Sequence, residues 1–196
     1  MNPDRMTAVT IDPIAASAAL LLRQRLRSLY ITAEKLDYDR PIRFWSYEMF
    51  CHHTLATRRQ LEAEASTRDG FTVRRGGQYH VLYNERVTNM RRRNFTLAHE
   101  VGHVYLNHAD DSDANEAQAD AFAASLLMPP VLVQELARRW GTVPTVEQLC
   151  GVFAVSRRAA LIGWQRAAQY RAGAQDAAVL QRYGALIPDN SGPIVD

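Results

Sequence analysis

From Phe95 to Leu106 the residues Phe95, Ala98, Val101, Gly102, Tyr105 and Leu106 recur at helical spacing. Residues three and four apart share one face of an α-helix, so this stretch predicts a helix from about Asn89 to Asn107. Upstream the pattern is that of strands. Phe71 to Arg75 and Gln78 to Tyr83 flank Gly76-Gly77, a pair that accepts the positive φ of a two-residue hairpin turn. Pro41 to Trp45 reads as a further short strand, after which Ser46 caps a helix through Tyr47, Met49 and Phe50. Arg58 to Ala65 predicts a charged helical connection. Near the start, Asp12-Pro13 pairs an N-cap residue with proline at the first helical position, and the helix is expected to reach about Tyr30. Downstream, Asp113 to Met128 predicts a helix that Pro129-Pro130 ends. Val131 to Trp140, Val146 to Ala154 and Arg157 to about Tyr170 follow as helices, and the tail from Gly184 onward is expected to be poorly ordered. Strands early and helices late imply an α+β fold, a small sheet with its hairpin packed on a helical core.

Composition narrows the class. A chain of 196 residues can bury one core, with or without a small appendage, and 47% hydrophobic with 22% charged residues is the balance of a globular protein. A net charge of +2 argues neither for nucleic acid nor for an acidic membrane. Cys51 and Cys150 lie far apart and form no CxxC pair, which speaks against a disulfide scaffold or a cysteine metal site. The apolar run Ile14 to Leu22 is too short to span a bilayer. Asp4, Arg5 and Asp12 before it give no net positive charge, and Arg23 and Arg25 fall on the wrong side for a signal peptide. A cytoplasmic protein without membrane partners is expected.

The chemistry concentrates in Leu97-Ala98-His99-Glu100-Val101-Gly102-His103. On a helix, His99 and His103 stand one turn apart on one face and can present two imidazole nitrogens to a single metal ion. Glu100 is offset around the helix, placed to reach an attacking water as general base. A chance match on a solvated helix is the competing reading. Catalytic zinc commonly takes a third protein ligand. Leu106 and Ala109 stand where a metzincin needs Gly and His, and His108, five residues after His103, is expected to turn away from the ligand face. The next helix offers Glu116 as third ligand, and Asp120, one turn on, to fix a ligand histidine through its other ring nitrogen. Alternatively, Asp113-x-x-Glu116 is a capping box and Asp120 a surface residue. The expected metal is Zn²⁺, with Mn²⁺ or Fe²⁺ compatible with two histidines and a carboxylate. Tyr79, Tyr83, Tyr105, His80 and His108 are all available to steady an oxyanion, and the sequence does not choose among them.

Two segments resemble the ImmA/IrrE family of metallopeptidases. Arg93-Asn94-Phe95-Thr96-Leu97-Ala98-His99-Glu100-Val101-Gly102-His103 is similar to its "RxxFTLAHELGH" segment, and Glu116 to Pro129 to its "ExEANxFAxxLLMP" segment. Asp69 to Val73 and Leu82 to Glu85 are also similar to some members. Asp120 stands where the family often has Asn, and Gln118 where it often has a second Glu, which leaves Glu116 without a rival. The resemblance implies a gluzincin-like, zincin-type peptidase core, here residues 1–143, followed by a helical region. It also implies a protein substrate, a helix-turn-helix repressor often encoded beside the peptidase.

That helical region, residues 144–183, itself reads like a helix-turn-helix, with a tight turn at Ala154-Val155 and a second helix capped by Ser156; residues 184–196 are left as a flexible tail. Arg157, Arg158 and Arg166 are placed to meet phosphates, so direct DNA binding beside a structural metal is the rival function. The absence of a concentrated basic footprint weighs against it.

Overall fold

In the computed structural model, which describes residues 12–65 and 69–190, Asp12 caps α1 (Pro13–Ala19) through Oδ1, which accepts from the backbone N–H groups of Ile14 and Ala15 at 3.0 and 3.1 Å. The helix stops far short of Tyr30. Beyond it the apolar period dissolves among Arg23, Arg25 and Arg27, and Arg23 Nε donates to the carbonyl of Leu20. The chain instead buries Leu21, Leu22, Leu29 and Ile31 in irregular form. Tertiary bonds replace the helical ones: the buried Asn94 accepts from Ala33 N–H at 2.8 Å and donates to the Ile31 carbonyl at 2.7 Å.

β1 (Ile42–Ser46) leads into α2 (Tyr47–His53), whose N-cap is Ser46 as expected, and α3 (Arg58–Ala65) follows. β2 (Gly70–Arg75) and β3 (Gln78–Tyr83) form the expected hairpin, with Gly76 and Gly77 at φ of 58° and 78°. β1 joins β3 in parallel, giving the order β1-β3-β2, so β2 is a sheet edge. Alternation splits the hairpin's side chains. Phe71, Val73 and Leu82 pack with Tyr47 and Leu61 on one face, while Val81 belongs to the main core on the other. Thr72 pairs with Val81 in register and shares that second face.

That second face meets α4 (Met90–Leu106), which packs on α5 (Asp113–Leu127). Gly102 makes the close approach possible: a Cβ there would meet Phe122 at 3.1 Å, and Tyr105 stacks on the same ring at 6.2 Å between centroids. α6 (Pro130–Trp140), α7 (Val146–Phe153), α8 (Arg157–Gln169) and α9 (Ala174–Tyr183) complete the molecule. Leu149, Phe153, Val155 and Ala160 share one apolar core with Leu97, Val101 and Phe122. The tail is ordered further than expected. Gly184–Leu186 forms a 3-10 turn, Ile187 is buried and Trp140 Nε1 donates to the Pro188 carbonyl at 2.8 Å. Residues 191–196 lie outside the described residues. The α+β class with a small sheet on a helical core is what the sequence implies. Among the described residues no helix is long and apolar enough to cross a membrane.

Candidate metal centre

His99, Glu100 and His103 lie in the second half of α4, and the two histidines do share one face: their Nε2 atoms lie 3.0 Å apart. α5 supplies the third donor. Its N-cap is Ser112, whose hydroxyl accepts from Asn115 N–H at 3.4 Å, so Glu116 is not the capping partner. The carboxylate turns instead to the histidines, with Oε2 at 3.4 Å from His99 Nε2 and Oε1 at 3.3 Å from His103 Nε2. One donor atom from each of the three residues falls within 4.8 Å of the others.

This donor set fits a divalent cation. Metal–ligand bonds of 2.0–2.2 Å in tetrahedral geometry place ligand atoms about 3.3 Å apart, close to the three separations found. The tautomers agree with it. His99 Nδ1 lies 2.9 Å from Asp120 Oδ1, a carboxylate that can only accept, so the proton sits on Nδ1 and the Nε2 lone pair faces inward. Burial opposes protonation of His99, but the Asp120 hydrogen bond and the carboxylates of Glu100, Asp120 and Glu116 outweigh it and raise its pKa. The same hydrogen bond to His99 holds the Asp120 carboxyl below its ordinary range. Asp120 also meets Arg158 of α8, Oδ2 to Nη2 at 3.3 Å.

Glu100 is buried at 3% exposure, and its Oε2 accepts from the Thr72 hydroxyl at 2.8 Å. The general-base candidate is therefore held by the edge strand, a contact the sequence reading did not find. Parity along β2 was the available signal, since Thr72 alternates with Phe71 and Val73. His108 was the second miss. It lies off the ligand face, as expected, but it meets the far side of the His103 ring, its Nδ1 3.1 Å from His103 Nδ1. Of the other residues weighed for an oxyanion, Tyr79 and His108 line a recess on the His103 side, whereas Tyr105 donates to Asp39 at 2.5 Å and His80 accepts from Trp45 Nε1 at 3.0 Å.

Two recesses open along β2 on either side of the donor set. One lies between Gly70, Arg92 and Thr96 and the start of α8, with Ser156, Arg158 and Ala159 as its far wall. The other runs past Thr72, Arg74, Tyr79 and His108. The N-terminal turn of α8 thus faces the donor set. The arginines considered for phosphate contacts have protein partners: Arg157 pairs with Glu147, Arg158 with Asp120, and the half-buried Arg166 with Asp12 and with Ser125 Oγ at 3.1 Å.

A cleft with a triad that could hold a metal ion, a buried carboxylate beside it and an open sheet edge fits a metallopeptidase. The family model Peptidase_M78, described as the IrrE N-terminal-like domain, matches residues 51–163, more than half of the chain, and the protein belongs to that family, the ImmA/IrrE metallopeptidases. The matched span crosses residue 144 and takes in α7 and the first half of α8. No curated protein and no solved structure matches the chain.

Proposed function

We propose that this metallopeptidase is a zinc-dependent endopeptidase in which His99, His103 and Glu116 hold the metal and Glu100 is the general base. Two neutral imidazoles and one carboxylate are a donor set common to catalytic zinc, with Mn²⁺ and Fe²⁺ as alternatives. When bound, the metal supplies Lewis acidity toward the scissile carbonyl and brings the pKa of a water toward about 7.

The remaining chemistry belongs to the protein. Glu100 removes the proton of the attacking water and delivers it to the leaving amine. The Thr72 hydroxyl donates to Glu100 Oε2 and fixes that carboxylate beside the donor set. Asp120 keeps the His99 lone pair on Nε2. β2 has no partner beyond β3 among the described residues. A substrate segment laid along that edge as an added strand would cross both recesses and bring its peptide bonds over Thr72 and Glu100.

The substrate proposed is a helix-turn-helix repressor whose cleavage relieves repression, a reading that rests on family membership and on an open, two-ended cleft. Direct DNA binding by α7 and α8 has less support. A recognition helix presents its N-terminal residues to the major groove, whereas Ser156, Arg158 and Ala159 form a wall of the cleft.

The observation that carries the proposal is the convergence of His99, His103 and Glu116 beside the buried Glu100. Incubating the zinc-loaded protein with the repressor encoded nearest its gene is expected to give one defined cut. Glu100→Gln is expected to retain zinc and to lose the cut; a variant that still cleaves would remove Glu100 as base. A salt-dependent shift of duplex DNA by the protein alone, with no proteolysis, would favour the rival reading instead.

A further inference from the structure

α4 ends in a Schellman motif. Asn107 adopts the left-handed conformation (φ 56°, ψ 40°), its N–H donates to the Val104 carbonyl at 3.3 Å, and the next N–H, of His108, donates to the His103 carbonyl at 3.1 Å. This motif sets the residue after the left-handed position beside the one five places earlier, and an apolar pair commonly fills those positions. Here both are histidines. Their rings meet edge to face at 80° with centroids 4.9 Å apart, and the two Nδ1 atoms are 3.1 Å apart. On its far side, His108 Nε2 lies 3.4 Å from Gln118 Oε1 of α5.

The protons can be placed. His103 directs Nε2 toward Glu116 and His99, so as a neutral ligand it carries its proton on Nδ1 and must donate there. His108 Nδ1 is the acceptor. Its own proton then sits on Nε2 and is donated to the Gln118 amide oxygen, an acceptor from α5. We propose that His108 is a positioning residue for the metal centre: it fixes the tautomer and ring orientation of His103, as Asp120 does for His99, and the left-handed Asn107 puts it there. The two ligand histidines are thus each backed by a side chain, one a carboxylate and the other an imidazole relayed to an amide.

This inference rests on the metal-binding reading of His99, His103 and Glu116, and its test separates the two. Zinc affinity of the metal-free protein is measured by competition with a chelator, together with thermal unfolding of the metal-free form. His108→Ala is expected to weaken zinc binding by about 10- to 100-fold, the range found when the partner of a ligand histidine is removed. Metal-free unfolding is expected to stay unchanged. His108→Asn, whose side-chain oxygen can accept where Nδ1 did, is expected to recover most of the affinity. Asn107→Gly keeps the left-handed turn and should bind like the wild type, whereas Asn107→Val opposes that conformation and should lose affinity. Should His108→Ala fail to fold, the two variants at position 107 decide alone: equal affinities for Asn107→Gly and Asn107→Val overturn the inference. Wild-type affinity in a folded His108→Ala overturns it and leaves the triad standing. A wild-type protein that takes up no zinc, or a His103→Ala that binds zinc as the wild type does, removes the triad and this inference with it.

Discussion

Thr72 and Glu100 show how much of the chemistry depends on single atoms. The carboxylate is almost sealed from water, and the hydroxyl bonded to it sits on the edge strand that borders the cleft. A hydrogen bond to a charged group contributes roughly 1.5–3 kcal/mol. Thr72→Val keeps shape and strand preference while deleting that bond. It is expected to lower kcat by about 10- to 100-fold, the rate equivalent of that range, with zinc affinity unchanged. Single-turnover cleavage and zinc titration check the two halves, and an unchanged kcat would detach Thr72 from the base. His99, a proposed ligand, carries a pH dependence of known sign. In the metal-free fold the pKa of His99 is raised above 6.5, so the proton's contribution to stability is present below that value and lost as pH rises through the raised one. Zinc needs the neutral ring. Zinc affinity is therefore expected to rise as pH climbs above 6.5 and through the raised pKa of His99, and a flat profile in chelator competition would count against His99 as ligand.

At the scale of elements, the donor set depends on how closely α4 lies on α5. Glycine inside a helix costs about 1 kcal/mol relative to alanine, and at position 102 the return is room for Phe122. Valine there would push two further carbons into that ring. Overpacking of this kind costs about 1–3 kcal/mol, and Gly102→Val is expected to lower stability in urea by that amount and to weaken zinc binding by parting the helices. A variant as stable as the wild type would show that the interface yields freely. Asn94 makes a different bridge, from α4 to the irregular chain at Ile31 and to Ala33, the first residue of a 3-10 turn. α4 and the hairpin were legible because their periods, caps and turn residues all agree, from Asn89 at one end to Gly76-Gly77 in the turn. The helix after Asp12 was not, because its true end is set by Asn94 and by burial of Leu29 and Ile31, long-range effects that no local period records. His99, Glu100 and His103 were legible from spacing. Glu116 was ambiguous until Ser112 proved to be the cap. Thr72 and His108 stayed hidden because strand register and a left-handed helix end decide what they face.

Across the whole molecule, one apolar core runs from Leu22 through Val101 and Phe122 to Phe153, Tyr170 and Ile187. The start of α8 walls the cleft, and Arg166 of the same helix reaches back to the cap of α1. A chain ended at residue 143 would expose that core, so it is expected to lack the cooperative unfolding transition of the full chain, as followed by circular dichroism. A cooperative, zinc-binding fragment would instead make the last helices an independent unit. Everything proposed for the site depends on metal capture by α4 and α5 beside Glu100 as the group that moves protons. The most direct measurement incubates the neighbouring repressor with zinc-loaded wild type and zinc-loaded Glu100→Gln, and follows both by mass spectrometry. The account expects one defined cleavage by the wild type and none by a variant that holds zinc equally well; cleavage by both would contradict it.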